Sequence, residues 1–409
     1  MIPKTDFHQL KNGMVLIGER IDQVLSVSFQ FLLPAGASLL PKGCCGTGTI
    51  IADWLFRGAG QRNNRELIQT LDRLGIHRNA SPSANHLSLT ASLEASNLPE
   101  ALDLYADMIL RPQLAAEQFE LSRQLAVSEL QGLDDDPRRK AMILLYEHFY
   151  PEPLGRPAVG KMDELKELTF ERSLDIARNI FNPSGVIFSV CGNYDFDAVK
   201  YQFENTFEGV FCQGLSAQPL LRKEKSYTHI PTNGTQVHIG LMTPAPLVTS
   251  NHYYEMAAAV SILSGSMSSR LFTEVREKRG LCYAVGANYK TLKDHAGISC
   301  YAGTTPDKAQ QTLDVILEQF RTLKNGISAD EIQRAKVGLK TSLIMQSEST
   351  GARSSGIAAD HFLLGRIRPL EEIREKIEAL SVDSVQEFLN HHPFEDFTVV
   401  TLGPKAVTV

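Results

Sequence analysis

The sequence predicts an α+β protein of two homologous domains, each a mainly antiparallel sheet with helices packed on it. The first observation is an internal duplication within the 409 residues: residues 86–109 run strand, turn and helix, and residues 297–320 repeat this order about 211 positions later. The second is a pair of dipeptides, Asn-Pro at 182–183 and His-Pro at 392–393, each leading into an apolar run. The third is the alternation of strand and helix signals within each half.

Each predicted element rests on a local pattern. Val27, Phe29 and Phe31 alternate with polar residues, as in a half-buried strand, and Val237 and Ile239 predict the corresponding strand of the second half. Capping patterns predict three helices. The first starts at Asn63 or Asn64 and ends at Gly75. The second starts at Thr305-Pro306, and the third starts at Ser328 with Glu331 as its capping-box partner.

The chain is predicted to divide at a connector. Pro, Ser, Lys and Thr replace periodic apolar residues in the middle of the chain. We therefore expect an N-terminal domain over residues 1–215, a linker over 216–232 and a C-terminal domain over 233–409.

Composition excludes several classes of function. A net charge of −6 without a long basic stripe argues against nucleic acid as a partner. There is no apolar run of about 18 or more residues, so no membrane span is expected. The six cysteines, of which Cys44 and Cys45 are adjacent, show no C-x-x-C spacing, and the N-terminus shows no basic segment followed by an apolar one. We expect a cytoplasmic protein.

Two segments carry a resemblance to a known family. Residues 268–285 read SSRLFTEVREKRGLCYAV, with Arg276 and Tyr283 seven positions apart, and residues 48–58 read GTIIADWLFRG. Over nearly its whole length the chain resembles the M16 metallopeptidases, the pitrilysin, insulinase and mitochondrial-processing-peptidase group, and in particular chains of the M16B type. The zinc motif of that family is the inverted H-x-x-E-H. The resemblance implies two M16-type domains of the fold shared with the mitochondrial processing peptidase.

The zinc motif of the family is degenerate here. Its members carry an F-K-G-T-like tetrapeptide just after the motif, and residues 56–59 stand at that place. Counting back puts Thr49, Ala52 and Asp53 at the first His, the Glu and the second His. The third ligand of the family is a Glu 76 positions beyond the second His, where this chain has Glu129.

Little metal chemistry is expected from these residues. A catalytic zinc is held by three protein ligands and one water, and carboxylates without imidazole suit it poorly. Thr49 offers only a hydroxyl, and Ala52 cannot act as the general base that the family's Glu provides. We expect no metal in this chain and interpret Asp53 as a structural residue paired with Arg57.

Glu129 is expected to be a remnant of a metal-binding ancestor. It follows Leu121 and Leu125 at four-residue steps, a spacing that predicts an inward-facing stripe on a helix. Ser122 stands where many active relatives have a second acidic residue.

The resemblance gives Arg276 and Tyr283 a role in catalysis. In the family these residues hold a peptide carbonyl and donate hydrogen bonds to the oxyanion that forms when water attacks. The alternative is that Arg276 is an exposed helix charge and Tyr283 a core aromatic.

A substrate-binding role is implied for Asn79 and Ala80. The sequence Asn79-Ala80-Ser81 resembles the edge strand along which a peptide adds in the family, although Pro82 lacks the amide donor that pairing needs. The alternative is an ordinary loop before a strand at His86.

The leading hypothesis is a non-catalytic subunit of a heterodimeric zinc metallopeptidase. A zinc-bearing M16 paralogue would be the partner and would hold the zinc, so no cofactor is expected in this chain, and peptides would be the substrates. The first alternative is a catalytically dead homodimer that binds peptides or scaffolds a complex. The second is an independent peptidase that uses Asp53, Glu129 and a further ligand.

Overall fold

The computed structural model describes residues 4–212, 214–221, 224 and 226–409. They form two compact units. The first comprises the described residues within 1–132, 156–220 and 346–367, and the second those within 133–155, 221–345 and 368–409. Each unit contains one large sheet.

The described part of the first half supplies eight strands and eight α-helices. The strands are β1 Lys4–Gln9, β2 Val15–Arg20, β3 Ser26–Leu33, β4 Gly58–Ala59, β5 Arg62–Asn63, β6 His77–Pro82, β7 Leu87–Glu94 and β8 Ile187–Gly192. The helices are α1 Thr47–Trp54, α2 Asn64–Arg73, α3 Leu98–Leu110, α4 Ala116–Gly132, α5 Pro137–Phe149, α6 Met162–Glu167, α7 Phe170–Arg178 and α8 Phe196–Phe207.

The second half, as far as the structure describes it, supplies five strands and six α-helices. The strands are β9 Tyr227–Pro231, β10 Val237–Pro244, β11 Cys282–Thr291, β12 Ala296–Thr304 and β13 Thr398–Gly403. The helices are α9 Tyr253–Ser264, α10 Ala309–Thr322, α11 Ala329–Ser347, α12 Thr350–Leu364, α13 Leu370–Glu378 and α14 Val382–His391.

The two sheets confirm the predicted duplication. The first has the order β1-β2-β8-β3-β7-β6, and the second has β9-β13-β10-β12-β11, which repeats the last five positions of the first. In both sheets the pairing is antiparallel except for one parallel pair, β2 with β8 and β9 with β13. The equivalent strands β3 and β10 begin 211 residues apart, and so do β8 and β13. The predicted α+β class is therefore confirmed.

One face of each sheet packs on helices through a continuous apolar core. In the first unit the rings of Phe31 and Phe188 contact Phe203 on α8, and Phe29 contacts Phe188. In the second, the inward side of β10 and β12 meets helices α9, α10 and α14. The predicted strands around Val27 and Val237 are confirmed, because both positions are fully buried in β3 and β10.

The opposite face of each sheet carries a helix from the other half of the sequence. Helix α12 lies on β2, β3 and β8 in the first unit, and helix α5 lies on β10 and β13 in the second. The layer under α12 combines apolar contacts, such as Ile17 with Ile357, with buried polar ones. The Arg353 guanidinium bonds both carboxylate oxygens of Glu19, and the Ser354 and Ser189 hydroxyls lie 3.1 Å apart. The compact units thus differ from the predicted contiguous domains by this exchange of helices.

The predicted linker also contains an element. Residues 227–231 form β9, which pairs in parallel with β13. Its sequence, YTHIP, has only one aliphatic residue, so no alternating apolar pattern marked it as a strand.

Two of the three predicted helix starts are confirmed. Asn63 caps α2 in a reciprocal capping box, and Ser328 and Glu331 exchange the same pair of bonds before α11. The prediction at Thr305-Pro306 is wrong by about one turn, because those residues lie in a turn and α10 begins at Ala309. Within the described residues, no helix is long and apolar enough to cross a membrane.

Replacing Arg353 by alanine is expected to lower the free energy of unfolding by about 3–5 kcal/mol, because Glu19 would keep a buried charge without its partner. The two side chains are only 9% and 3% exposed. Denaturant melts monitored by circular dichroism measure the effect. Arg374→Ala breaks an exposed Arg–Glu pair and serves as the matched control, with an expected loss below about 1 kcal/mol. Equal losses for the two variants would contradict the assignment.

Stability is expected to fall as the pH drops below about 6.5. His238 lies buried on β10 with its Nδ1 2.8 Å from the Tyr301 hydroxyl, and burial lowers its pKa although Asp136 acts in the opposite direction. The unfolded chain therefore takes up a proton that the folded chain resists. The melting temperature is measured between pH 7.5 and pH 5.5, about one unit either side of the ordinary pKa of histidine. It should decline less steeply in His238→Gln than in the unmodified protein. An unchanged slope would exclude His238 as a source of the pH dependence.

Candidate functional site

Thr49 and Ala52, at the positions of the first His and the Glu of the family motif, have structural roles in helix α1. The Thr49 hydroxyl donates a hydrogen bond to the Ala158 carbonyl oxygen at 3.0 Å. Ala52 is buried in the apolar core of the first unit. Neither residue presents an ionisable group toward solvent.

Asp53 is held in a polar network on the same helix. Its Oδ2 accepts hydrogen bonds from Arg57 Nε at 2.5 Å and from the Ser122 hydroxyl at 2.6 Å. Arg57 also reaches Gln118 Oε1 at 3.2 Å. The predicted Asp53–Arg57 ion pair is confirmed. Ser122 can donate to this carboxylate, which an ionised acid at its position could not do.

The predicted orientation of Glu129 is wrong. Glu129, Leu121 and Leu125 all lie on the exposed side of α4, and the two leucines are 46% and 53% exposed. The buried stripe runs instead through Phe119, Ser122 and Ala126. The stripe is displaced because Ser122 turns inward to bond Asp53, a polar contact that an apolar periodicity does not reveal.

The donor set does not fit zinc. Asp53 already has a guanidinium as its partner, and a second cation beside Arg57 would be repelled. Within the described residues, no group of three or more His, Cys, Asp and Glu side chains is arranged to hold a metal ion. Asp53 is therefore part of a structural network with Arg57 and Ser122.

The second motif has a different geometry. Residues Phe272–Glu277 form a π-helix, a form that is often found at functional sites. The Arg276 guanidinium is half-buried between two aromatic rings, 4.7 Å from the centroid of Phe272 and 4.9 Å from that of Tyr283. The structure thus brings Arg276 and Tyr283 into direct contact.

A β-bulge orients Tyr283. The pairing of β11 with β12 shifts register between Cys282 and Ala284, so Tyr283 is the extra residue. Bulges of this kind redirect a side chain. Tyr283 is 83% exposed, so the alternative that it is a core aromatic is wrong.

The charges around Arg276 are already paired. Glu274 accepts hydrogen bonds from Lys278 Nζ at 2.6 Å and from Arg279 Nη1 at 2.5 Å, and these bonds hold its pKa below the usual range. Arg276 forms no ion pair with any residue that the structure describes. Its positive charge therefore remains available to a ligand.

Asn79 and Ala80 lie in an edge strand. They belong to β6, which pairs only with β7 at the end of the six-stranded sheet, so the alternative of an ordinary loop is wrong. Helix α1 approaches this strand where Gly48 lies against Pro82.

The register of β6 determines which backbone groups point away from β7 at its free edge. The Ser83 amide bonds the His86 carbonyl at the hairpin end, and bonded pairs recur at every second residue. The backbone groups of Asn79 therefore point toward β7, and those of Arg78, Ala80 and Pro82 point outward. Pro82 has no amide hydrogen, so it limits pairing at that end.

Family models match both halves of the chain. The model for insulinase (peptidase family M16) matches residues 26–161, and the model for the peptidase M16 inactive domain matches residues 167–339. The chain therefore belongs to the peptidase M16 family.

Individual relatives agree with this assignment. An uncharacterized zinc protease of Rickettsia felis is 27% identical over 97% of both chains, and one of Bacillus subtilis is 25% identical over 96% of this chain and 97% of its own length. A crystal structure of a peptidase M16 inactive domain from Pseudomonas fluorescens superposes with a TM-score of 0.87 at 17% identity over 99% of both chains. A protease from Helicobacter pylori superposes with a TM-score of 0.88 at 20% identity, over 98% of this chain and 100% of that one. These structures establish the fold.

Sequence reasoning missed two residues of the second motif. Phe272 precedes Arg276 by four positions, a spacing that places two side chains on one face of a helix. Glu274 pairs with Lys278 and Arg279. The spacing of Phe272 was visible in the sequence, whereas the choice of Lys278 and Arg279 as the partners of Glu274 required the structure.

Replacing Asp53 by alanine is expected to destabilise the protein by about 1–2 kcal/mol, because Arg57 would lose its charged partner while only 16% exposed. Thermal or chemical melts provide the measurement. Asp22→Ala removes an exposed partner of Arg20 and should change stability by less than about 0.5 kcal/mol. A more stable Asp53→Ala protein would rule out the structural role.

Proposed function

We propose that this chain is a non-catalytic subunit of a heterodimeric M16 zinc metallopeptidase. It contributes Arg276, Tyr283 and half of the peptide chamber to a partner that carries the zinc and the general base. The observation that supports this most strongly is the contrast between the two motifs. Asp53 is neutralised within the chain, whereas Arg276 retains an unpaired charge beside an exposed phenol.

Arg276 and Tyr283 act on the carbonyl oxygen of the scissile peptide. Their N–H and O–H groups donate hydrogen bonds to this oxygen, which gains negative charge as water adds to the carbonyl carbon. Donors that are already oriented stabilise this charge without reorganising during the reaction. The guanidinium suits the task because it stays protonated at any working pH.

The free edge of β6 supports a second, binding role. An extended peptide can pair with the outward backbone groups of Arg78 and Ala80, the mode known as strand addition. Pro82 ends this pairing, so the edge holds a short segment. In this arrangement Asn79 contributes its side chain only.

A cytoplasmic location belongs to the same proposal. All six cysteines are free thiols, and five of them are buried, including the adjacent Cys44 and Cys45. Free thiols of this kind are typical of a reducing compartment.

The complex with a zinc-bearing M16 chain from the native source is expected to cleave peptides that this chain alone does not cleave. Arg276→Ala should lower kcat about 10²- to 10³-fold, because one preorganised oxyanion donor is lost. Tyr283→Phe should also lower kcat. Turnover of an internally quenched fluorescent peptide measures both effects, and Arg374→Ala, at an exposed pair, is the matched control.

Other outcomes would replace the proposal. Full activity of Arg276→Ala and Tyr283→Phe in the mixed complex would refute the division of labour. A stable homodimer that binds no zinc-bearing relative would favour a peptide-binding or scaffold protein. Cleavage by the isolated chain with stoichiometric zinc, abolished by Glu129→Gln, would establish an independent peptidase.

A further inference from the structure

We infer that Phe272 is a positioning residue for Arg276, holding its guanidinium in the orientation in which it meets a peptide carbonyl. The inference rests on the proposed function. Phe272 lies four residues before Arg276 in the same π-helix, and the guanidinium carbon is 4.7 Å from its ring centroid. That distance is within the range of a cation–π contact.

The two rings beside Arg276 are not equally fixed. Tyr283 is 83% exposed on its bulge, so it cannot by itself restrain a neighbour. Phe272 is half-buried, and the residues around it anchor its turn, because Leu271 and Val275 are both fully buried. Phe272 is therefore the more restrained of the two rings that contact Arg276.

No acidic side chain among the described residues orients the Arg276 guanidinium. Glu274 is occupied by Lys278 and Arg279, and Arg276 has no ion pair among the described residues. An unrestrained arginine side chain has many rotamers, so holding it in one orientation costs conformational entropy. Stacking on a ring restricts this freedom while leaving the N–H groups at the edge of the guanidinium plane free to donate. An ion pair would restrict it but would also consume those donors.

The geometry also separates positioning from binding. If Phe272 acts only through Arg276, its removal lowers the rate of the chemical step and has no effect once Arg276 is gone. If Phe272 contacts the peptide itself, its removal raises KM and does so in either background. If it only supports the fold, its removal lowers stability without a specific effect on kcat.

The test uses the mixed complex with the zinc-bearing chain and an internally quenched fluorescent peptide. Phe272→Leu should lower kcat about 5- to 30-fold, as expected for the loss of one cation–π contact, with KM unchanged within about twofold. Phe272→Tyr keeps a ring and should retain most of the activity. In the Arg276→Ala background, Phe272→Leu should have no further effect.

A measurement on the chain alone gives an independent readout. In proton–nitrogen correlation spectra, the Arg276 side-chain Nε–H resonance should shift when the Phe272 ring current is lost. Tyr253→Leu is the matched control, because it removes a ring 5.6 Å from a different arginine, Arg368, in the same unit. It should change neither the Arg276 resonance nor kcat. If Phe272→Leu does not fold, Phe272→Met removes the ring with a more flexible side chain.

The outcomes are distinguishable from failure of the proposed function. An active Arg276→Ala complex would refute that function. An inactive Arg276→Ala complex together with a fully active Phe272→Leu complex would refute only the positioning role. Equal losses from Phe272→Leu with and without Arg276 would also refute it.

Discussion

The properties of this chain depend on which of its charges are satisfied internally, and the Asp53–Arg57 pair is the decisive case. A carboxylate attracts a divalent cation less strongly when a fixed positive charge already lies beside it. Here Arg57 and Ser122 both bond Asp53 Oδ2, and the arginine is largely shielded from solvent. Binding a metal would require breaking that pair and placing an ion beside a fixed positive charge. Asp53 is therefore committed to a cation within its own chain.

Arg276 presents the opposite arrangement. Arg276, Lys278 and Arg279 are three basic residues close in sequence, and Glu274 accepts hydrogen bonds from the last two. Arg276 lies between aromatic rings, which orient a cation without cancelling its charge. A β-bulge and a π-helix meet at this point, and both are irregularities that redirect side chains from the regular lattice of strand and helix. Local backbone geometry thus serves to present one guanidinium and one phenol together.

The sequence was sufficient to predict the two matching sheets but not the exchange of helices α5 and α12 between the units. The duplication at a spacing of 211 residues predicted two matching sheets, because strands with equivalent patterns must bury equivalent faces. Helices α5 and α12 could not be assigned to a sheet in the same way. The surface that α12 covers is only partly apolar, because beside Val15, Ile17 and Ile187 it includes three polar residues. Glu19, Ser28 and Ser189 bond Arg353, Thr350 and Ser354. Hydrophobic periodicity carries no information about a partner that is recognised through hydrogen bonds.

The same limit explains the partial success at the candidate site. The Asp53–Arg57 pair was predictable because residues four apart on a helix are neighbours by geometry. The orientation of Glu129 was not, since two leucines at the same spacing indicated a buried stripe, and the buried stripe actually includes a serine. Ser122 is buried because it has a hydrogen-bond acceptor 69 residues away in the sequence. Burial of a polar side chain is decided by whether its partner is present in the fold. For this chain that partner is the Asp53 carboxylate, so the orientation of α4 depends on an interaction with α1 that the α4 sequence alone does not show.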